Sequence, residues 1–407
     1  MVQSAKSRFS VRVLLELACV LVCTLLFLLT SMSLLTVAFH GHQPGTRDYI
    51  EYWASGQQLV HHRNPYDATA VLQLERAHGL SDHILPLVMG NAPPALLLTL
   101  PLGFLSARVG EILWMLMLFG AFLASVSMIA DSIAPGSQRV KVLGYSFAPA
   151  LVCVEVGQMA LLVLLGLAIF LRFHKKYPMA AGAALWLCLL KPQLFLPFGL
   201  VLCAWIWTSR QYRVLAGVAI SSGVSSAAIW IVDPRCWTQY RGMMQLMRYD
   251  RAAIPCLTVA LRDSVPGMPL LQYLPALLAC VWAVVYFWKR RDRWDWTDHG
   301  SALILVSLLV APYTWFVDQC VALPALLRGA AIVRSRTMIA TLALASAVIE
   351  FASLLKYDLM HSKFYFWTTP FYLAWFLVAA SQHAKWESRE LDLGLSDHHY
   401  SQAEVEA

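Results

Sequence analysis

Long apolar runs, most of them closed by basic residues, set the pattern of this chain. The first, residues 13–39, follows Lys6, Arg8 and Arg12. It is too long for a signal-peptide core and no small-residue cleavage site follows it. It therefore reads as a retained first span with a cytoplasmic N-terminus. A polar stretch, 40–91, ends in Asn91-Ala92-Pro93-Pro94. The apolar stretch behind it, 95–105, is interrupted by Pro101 and is too short to cross a hydrocarbon core of about 30 Å. It predicts a helix lying in the outer interface. Residues 112–130 make a good span, which ends at Arg139 and Lys141.

Three units have an intermediate length: 142–171, 178–208 and 301–328. Each is longer than one crossing needs and shorter than two. Their flanking charges favour two short helices per unit with a break at the outer end, over one long tilted helix. Pro149 with Gly157, Lys191-Pro192 and Pro312-Tyr313 are the candidate breaks. Simple spans are expected at 214–232, 270–288, 337–355 and 364–381. The expected fold is all-α: a polytopic transmembrane bundle of about twelve spans with both ends inside. Residues 1–381 form one membrane domain with exterior loops at 40–108 and 233–269. Residues 382–407 form a polar cytoplasmic tail, expected to be disordered.

Composition agrees with this reading. Of 407 residues, 59% are hydrophobic and 14% charged, against roughly 45–50% and 25% in soluble domains. Mean hydropathy is +0.59. A soluble fold is excluded, and so is a nucleic-acid binder. The net charge of +7 comes from basic residues at the ends of apolar runs, most of them on the inside of this topology. The cysteines form no CxxC pair and most lie in apolar runs, although Cys236 and Cys256 could pair in an exported loop.

With this topology the polar punctuation falls on the outer face. Asp48, Tyr49, Glu51 and Tyr52 follow the first span. Gln158, Lys191 with Gln193, and Tyr313 with Asp318 mark the three breaks. Ionisable groups at membrane depth usually line a cavity or pathway, and broken helices are tolerated beside one. Lys191, set between apolar residues and followed by Pro192, reads as a cation for a phosphate. The alternative is a snorkelling lysine. Asp48 can act as a base toward a substrate hydroxyl or serve as a loop acid or helix cap, with Glu51 its nearest rival. Arg248 and Arg251 in the second exterior loop suit phosphate oxygens or anionic headgroups. The adjacent pairs His61-His62 and His398-His399 lack the spacing for a shared metal. No metal or other cofactor is expected. Neither GxxxxGK[ST] nor GxGxxG occurs, and there is no Asp-x-Asp pair for a nucleotide sugar.

One family matches these landmarks. Asp48-Tyr49-x-x-Tyr52-x-Ala54-x-Gly56, Asn64-Pro65-Tyr66-Asp67, Pro93-Pro94-Ala95-Leu96, Pro101-Leu102, Gly157-Gln158, Lys191-Pro192-Gln193 and Ala311-Pro312-Tyr313 followed by Asp318 resemble, in order, glycosyltransferase family 87. That family contains polyprenol-phosphate-mannose-dependent mannosyltransferases. The resemblance implies a GT-C fold with its active site at the exterior membrane face. It also implies that Asp48 is the base. Ala92 departs from the aromatic residue the family often carries before Pro-Pro.

The function expected is therefore a membrane glycosyltransferase. It would move a sugar, mannose first, from a polyprenyl-phosphate donor to a lipid-linked or glycan acceptor outside the cytoplasm, in the cell membrane. Asp48 is expected to be catalytic. Tyr49, Tyr52, Gln158, Lys191, Gln193, Tyr313 and Asp318 are expected to bind substrate. Lys191, Arg248 and Arg251 are expected to bind phosphate. The alternative is a lipid-linked-saccharide transporter or flippase, which would need polar breaks on both faces.

Overall fold

The computed structural model describes residues 47–246, 254–355 and 363–392 except 83, 255 and 266, together with Leu21 and Leu25. The first span predicted at 13–39, Arg248 and Arg251 lie outside the described residues, as does most of the tail. Within the described residues the fold is all helical, with no strand.

The helices, in order, are α1 (Tyr49–Val60), α2 (Ala68–Ala77), α3 (Ala107–Ile133), α4 (Gln138–Tyr145), α5 (Ala148–Val156), α6 (Ala160–Phe173) and α7 (Pro178–Ala184). They continue with α8 (Leu196–Thr208), α9 (Tyr212–Val232), α10 (Cys236–Leu246), α11 (Leu257–Ser264) and α12 (Leu274–Trp288). The last four are α13 (His299–Leu309), α14 (Leu323–Ile332), α15 (Arg336–Leu355) and α16 (Thr368–Asp392). Short 3-10 stretches, and one four-residue α-helical turn at Leu96–Thr99, link several of them. Among the described residues, four segments are long and apolar enough to cross a membrane: Ala107–Ile133, Tyr212–Val232, Pro269–Trp288 and Arg336–Ser353. Pro178–Leu190 and Pro192–Thr208 reach that length together, but they bend by 119° at Lys191.

α6 is the centre. Leu161, Val163, Leu164, Leu167, Ala168 and Phe170 are all buried, so the helix is apolar and enclosed all round. α3, α7 and the 3-10 turns Leu185–Leu190 and Phe316–Ala322 pack on it. The periphery is equally apolar but open. Leu277, Leu278 and Val281 of α12 are each at least 60% exposed, a contiguous apolar face that suits lipid rather than water. α7 and α9 approach through glycine. A Cβ on Gly182 would strike the Val214 carbonyl, and one on Gly217 the Met179 carbonyl. Small residues give this close backbone contact in lipid, where packing replaces the hydrophobic drive.

The three intermediate units are broken, and each break has a local cause. α5 ends in Gly157 at φ +78°. The Gly157 N–H bonds Val154 O at 3.0 Å and the Gln158 N–H bonds Cys153 O at 3.1 Å. This is a Schellman end, which glycine adopts without penalty. Pro149, expected as part of that break, instead starts α5. The additional interruption lies before it, at Ser146-Phe147. Lys191 precedes Pro192, whose ring pushes the preceding residue out of the helical region; its φ is −135° and ψ 65°. Residues 310–315 interrupt the third unit around Pro312.

Breaking a helix frees carbonyls, and these are matched by donors from elsewhere. Trp114 Nε1 donates to Gly157 O, Asn91 Nδ2 to Leu190 O and Thr258 Oγ1 to Ala311 O, each at 2.7 Å. The breaks are therefore built features of the bundle. At the C-terminus, α16 runs on to Asp392, well past Ser381, where the apolar pattern ends. Cys236 and Cys256 are both free thiols.

Candidate active site

α1 lies across the Pro93–Phe104 segment. A Cβ on Gly56 would strike the Thr99 carbonyl, and one on Gly103 the Gly56 carbonyl, so the two backbones touch. Gln57 Nε2 donates to Gly103 O at 2.8 Å and Trp53 Nε1 to Leu105 O at 2.9 Å. The Asn64–Asp67 motif closes the next turn. Asn64 Oδ1 accepts from the Tyr66 N–H, Asp67 caps α2, and Tyr66 OH donates to Asn91 O at 3.0 Å. These contacts hold the start of α1 and the segment before Pro93 against the breaks.

Between them is a cavity of about 480 Å³, within the size of small-molecule sites. Asp48, Glu51, Tyr52, Gln158, Lys191, Gln193 and Tyr313 line it. A continuous polar chain crosses its wall. Gln158 Nε2 donates to Asp48 Oδ2 at 2.9 Å, and Gln158 Oε1 accepts from Tyr52 OH at 2.8 Å. Lys191 Nζ reaches Gln158 Oε1 at 3.4 Å and Asp318 Oδ1 at 2.5 Å. Asp318 Oδ2 accepts from the Trp315 N–H at 3.0 Å. The first loop and all three breaks thus meet in one network. Asp318 is fully buried and Lys191 nearly so, and a charge pair at that depth needs this satisfaction.

Some expected residues take other places. Tyr49 is buried against α3, donates to Ala107 O at 3.1 Å and is absent from the cavity wall. Its bulk positions α1. Asp318 likewise does not line the cavity; it binds Lys191 and the backbone. Several wall residues had no motif to announce them. Asn91 serves both Leu190 and Tyr66. Tyr240, from α10, faces the cavity and lies 5.5 Å from the Tyr66 ring. Trp315 also lines it. Their only sequence signal was proximity to Pro-Pro, to the arginine-rich loop and to Asp318. Among the described residues, no three His, Cys, Asp or Glu side chains gather as a metal site would need.

Glu51 separates itself from Asp48 by protonation. Burial first, then the neighbouring Asp48 carboxylate, pushes its pKa up to about 8. At neutral pH most Glu51 side chains carry their proton, which leaves Asp48 the better placed base of the two. Glu75, close behind, is raised by burial to about 7, although the Leu87 N–H donates to it. Both groups hold a proton in the fold that the unfolded chain releases near pH 4.5. Thermal stability is therefore expected to fall as pH rises from 4.5 to 8 and to level off above. Melting curves in detergent will check this. Glu51→Gln should flatten the slope, and an unchanged slope would refute the assignment.

Comparison with known proteins agrees with the sequence landmarks. The model of glycosyltransferase family 87 matches residues 91–312, more than half of the chain. That stretch holds Asn91, Gln158, Lys191, Gln193 and Pro312, while Asp48 precedes it. No curated protein and no solved structure matches the chain.

Proposed function

From the premise that this chain belongs to glycosyltransferase family 87, we propose that it transfers a sugar from a polyprenyl-phosphate donor to a lipid-linked or glycan hydroxyl at the exterior face of the membrane. Mannose is the first candidate sugar. The observation that carries this reading is the Asp48–Gln158–Lys191–Asp318 network in the wall of a single cavity.

In this reaction the acceptor O–H gives its proton to Asp48. The acceptor oxygen forms a bond to the sugar anomeric carbon. The carbon–oxygen bond to phosphate breaks, and the electron pair leaves with polyprenyl phosphate. A single in-line displacement inverts the anomeric centre. An ammonium has three donors. Asp318 engages one and Gln158 faces a second, which leaves a third for the phosphate as charge develops on it. Gln193, Tyr313 and Tyr52 supply polar and aromatic edges to the sugar. Arg248 and Arg251, which follow α10 in the sequence, would add charge to the phosphate.

In this reading the chain crosses the cell membrane about twelve times in a GT-C arrangement. The Pro93–Phe104 segment lies in the outer interface and both termini are inside. Its support is the basic bias of the opposite loops. The test is transfer of labelled mannose from a synthetic polyprenyl-phosphate donor by purified protein in sealed vesicles, with a membrane-impermeant acceptor. Transfer is expected in vesicles that present the exterior face outward, and it should persist with chelator present. Transfer only from a nucleotide sugar would overturn the donor assignment.

A further inference from the structure

Four arginines gather round a second cavity far from the first. Arg139, Arg328, Arg334 and Arg336 line a space of about 480 Å³ together with His383 and apolar residues at the end of α14. Among the described residues, no carboxylate lines it. Its residues come from α4, α14, the α14–α15 link, the first turn of α15, and α16, so it is assembled by the fold rather than by a run of basic sequence.

The cavity stands at the opposite end of the bundle from the candidate active site. α3 begins beside Tyr49, which donates to Ala107 O. Its 27 residues rise about 40 Å. Near its far end Asp131 pairs with Lys141 at 2.9 Å, two residues from Arg139 on α4. α14 makes a parallel journey, from the turn that carries Asp318 toward Arg334.

The walls are held in place. Arg139 Nη2 donates to Ala330 O at 2.8 Å and ties α4 to the end of α14. Arg328 pairs with Asp298 at 2.6 Å. The Arg334 guanidinium lies 3.4 Å from the centre of the Trp386 ring, and the His383 ring stacks toward Trp386. Trp386 and His383 belong to the polar extension of α16 beyond Ser381. That extension closes one side of the cavity, which gives its helical structure a role. The 20-residue α15 starts here, and its positive end adds to the field.

Concave and lined by four arginines, of which Arg328 already holds Asp298, the space suits the charge of a phosphate group, which guanidinium forks bind bidentately. We propose that this cavity binds a phosphate group at the membrane face opposite the active site. The phosphate can belong to an anionic lipid headgroup or to a soluble molecule.

The full chain is tested with two probes at matched ionic strength. One is phosphatidylglycerol in phosphatidylcholine nanodiscs; the other is inorganic phosphate in detergent. Phenylglyoxal reaction at Arg334, which is exposed, and at Arg336 is read by peptide mass spectrometry on the wild-type protein. Bound phosphate is expected to slow it at least threefold. Protection by phosphatidylglycerol alone assigns a lipid headgroup, by inorganic phosphate alone a soluble ligand, and by both the shared group. No protection by either, or equal protection by chloride, overturns the proposal. In Arg334→Gln with Arg336→Gln, the protecting probe should bind at least tenfold more weakly, read as ligand-induced thermal shift. Arg334→Lys keeps the charge but not the planar fork, and should weaken binding by less than the double glutamine variant does. Undiminished binding in the glutamine variant also overturns it.

Discussion

Asp48→Asn is expected to lower sugar transfer by about 10²–10⁴-fold, the range that general-base assistance supplies. Asparagine keeps the size of the side chain and can still accept from Gln158 Nε2, so the cavity wall should hold its shape. What it loses is a site for the acceptor proton. Glu51→Gln should cost far less, because Glu51, raised to about 8, is already mostly protonated at neutral pH. The pair of variants therefore separates two carboxylates three residues apart on one cavity wall. Turnover measured with labelled donor, alongside a melting curve for each variant, is the check. Wild-type turnover in Asp48→Asn, or an equal loss in Glu51→Gln, would remove Asp48 from the base position.

Lys191→Met is expected to abolish measurable transfer and also to destabilise the fold. The reason is its partner. Removing one member of a buried pair leaves the other charge uncompensated, at about 3–5 kcal/mol, and Asp318 is fully buried. Loss of activity alone would then be ambiguous. Lys191→Met combined with Asp318→Leu resolves it. Replacing both charges by apolar groups should restore most of the melting temperature, while transfer stays absent because no ammonium meets the leaving phosphate. A double variant that regains both stability and turnover would make the pair purely structural.

Much of this molecule was legible without its tertiary structure, and the legible part is local. Charge at the ends of apolar runs marked a helical membrane protein, because lipid tolerates no unpaired backbone and admits few charges. Gly157, Lys191-Pro192 and Pro312 marked the breaks, because glycine admits the left-handed φ that ends a helix and proline restricts its own φ and the conformation of the residue before it. Partnership was not legible. Gln158 meets Asp48 across 110 positions and Lys191 meets Asp318 across 127, and no periodicity encodes such distances. From sequence, Lys191 was a cation awaiting phosphate; the fold has already given it a counter-charge. Tyr49 and Tyr52 belong to one motif, yet helix α1 turns the first into α3 and the second toward the cavity. Beyond Ser381 a polar sequence looked unable to order itself, because hydropathy weighs burial alone. Arg334 stacked on Trp386 supplies a contact that only the folded chain can bring together, and α16 continues where the apolar pattern stops.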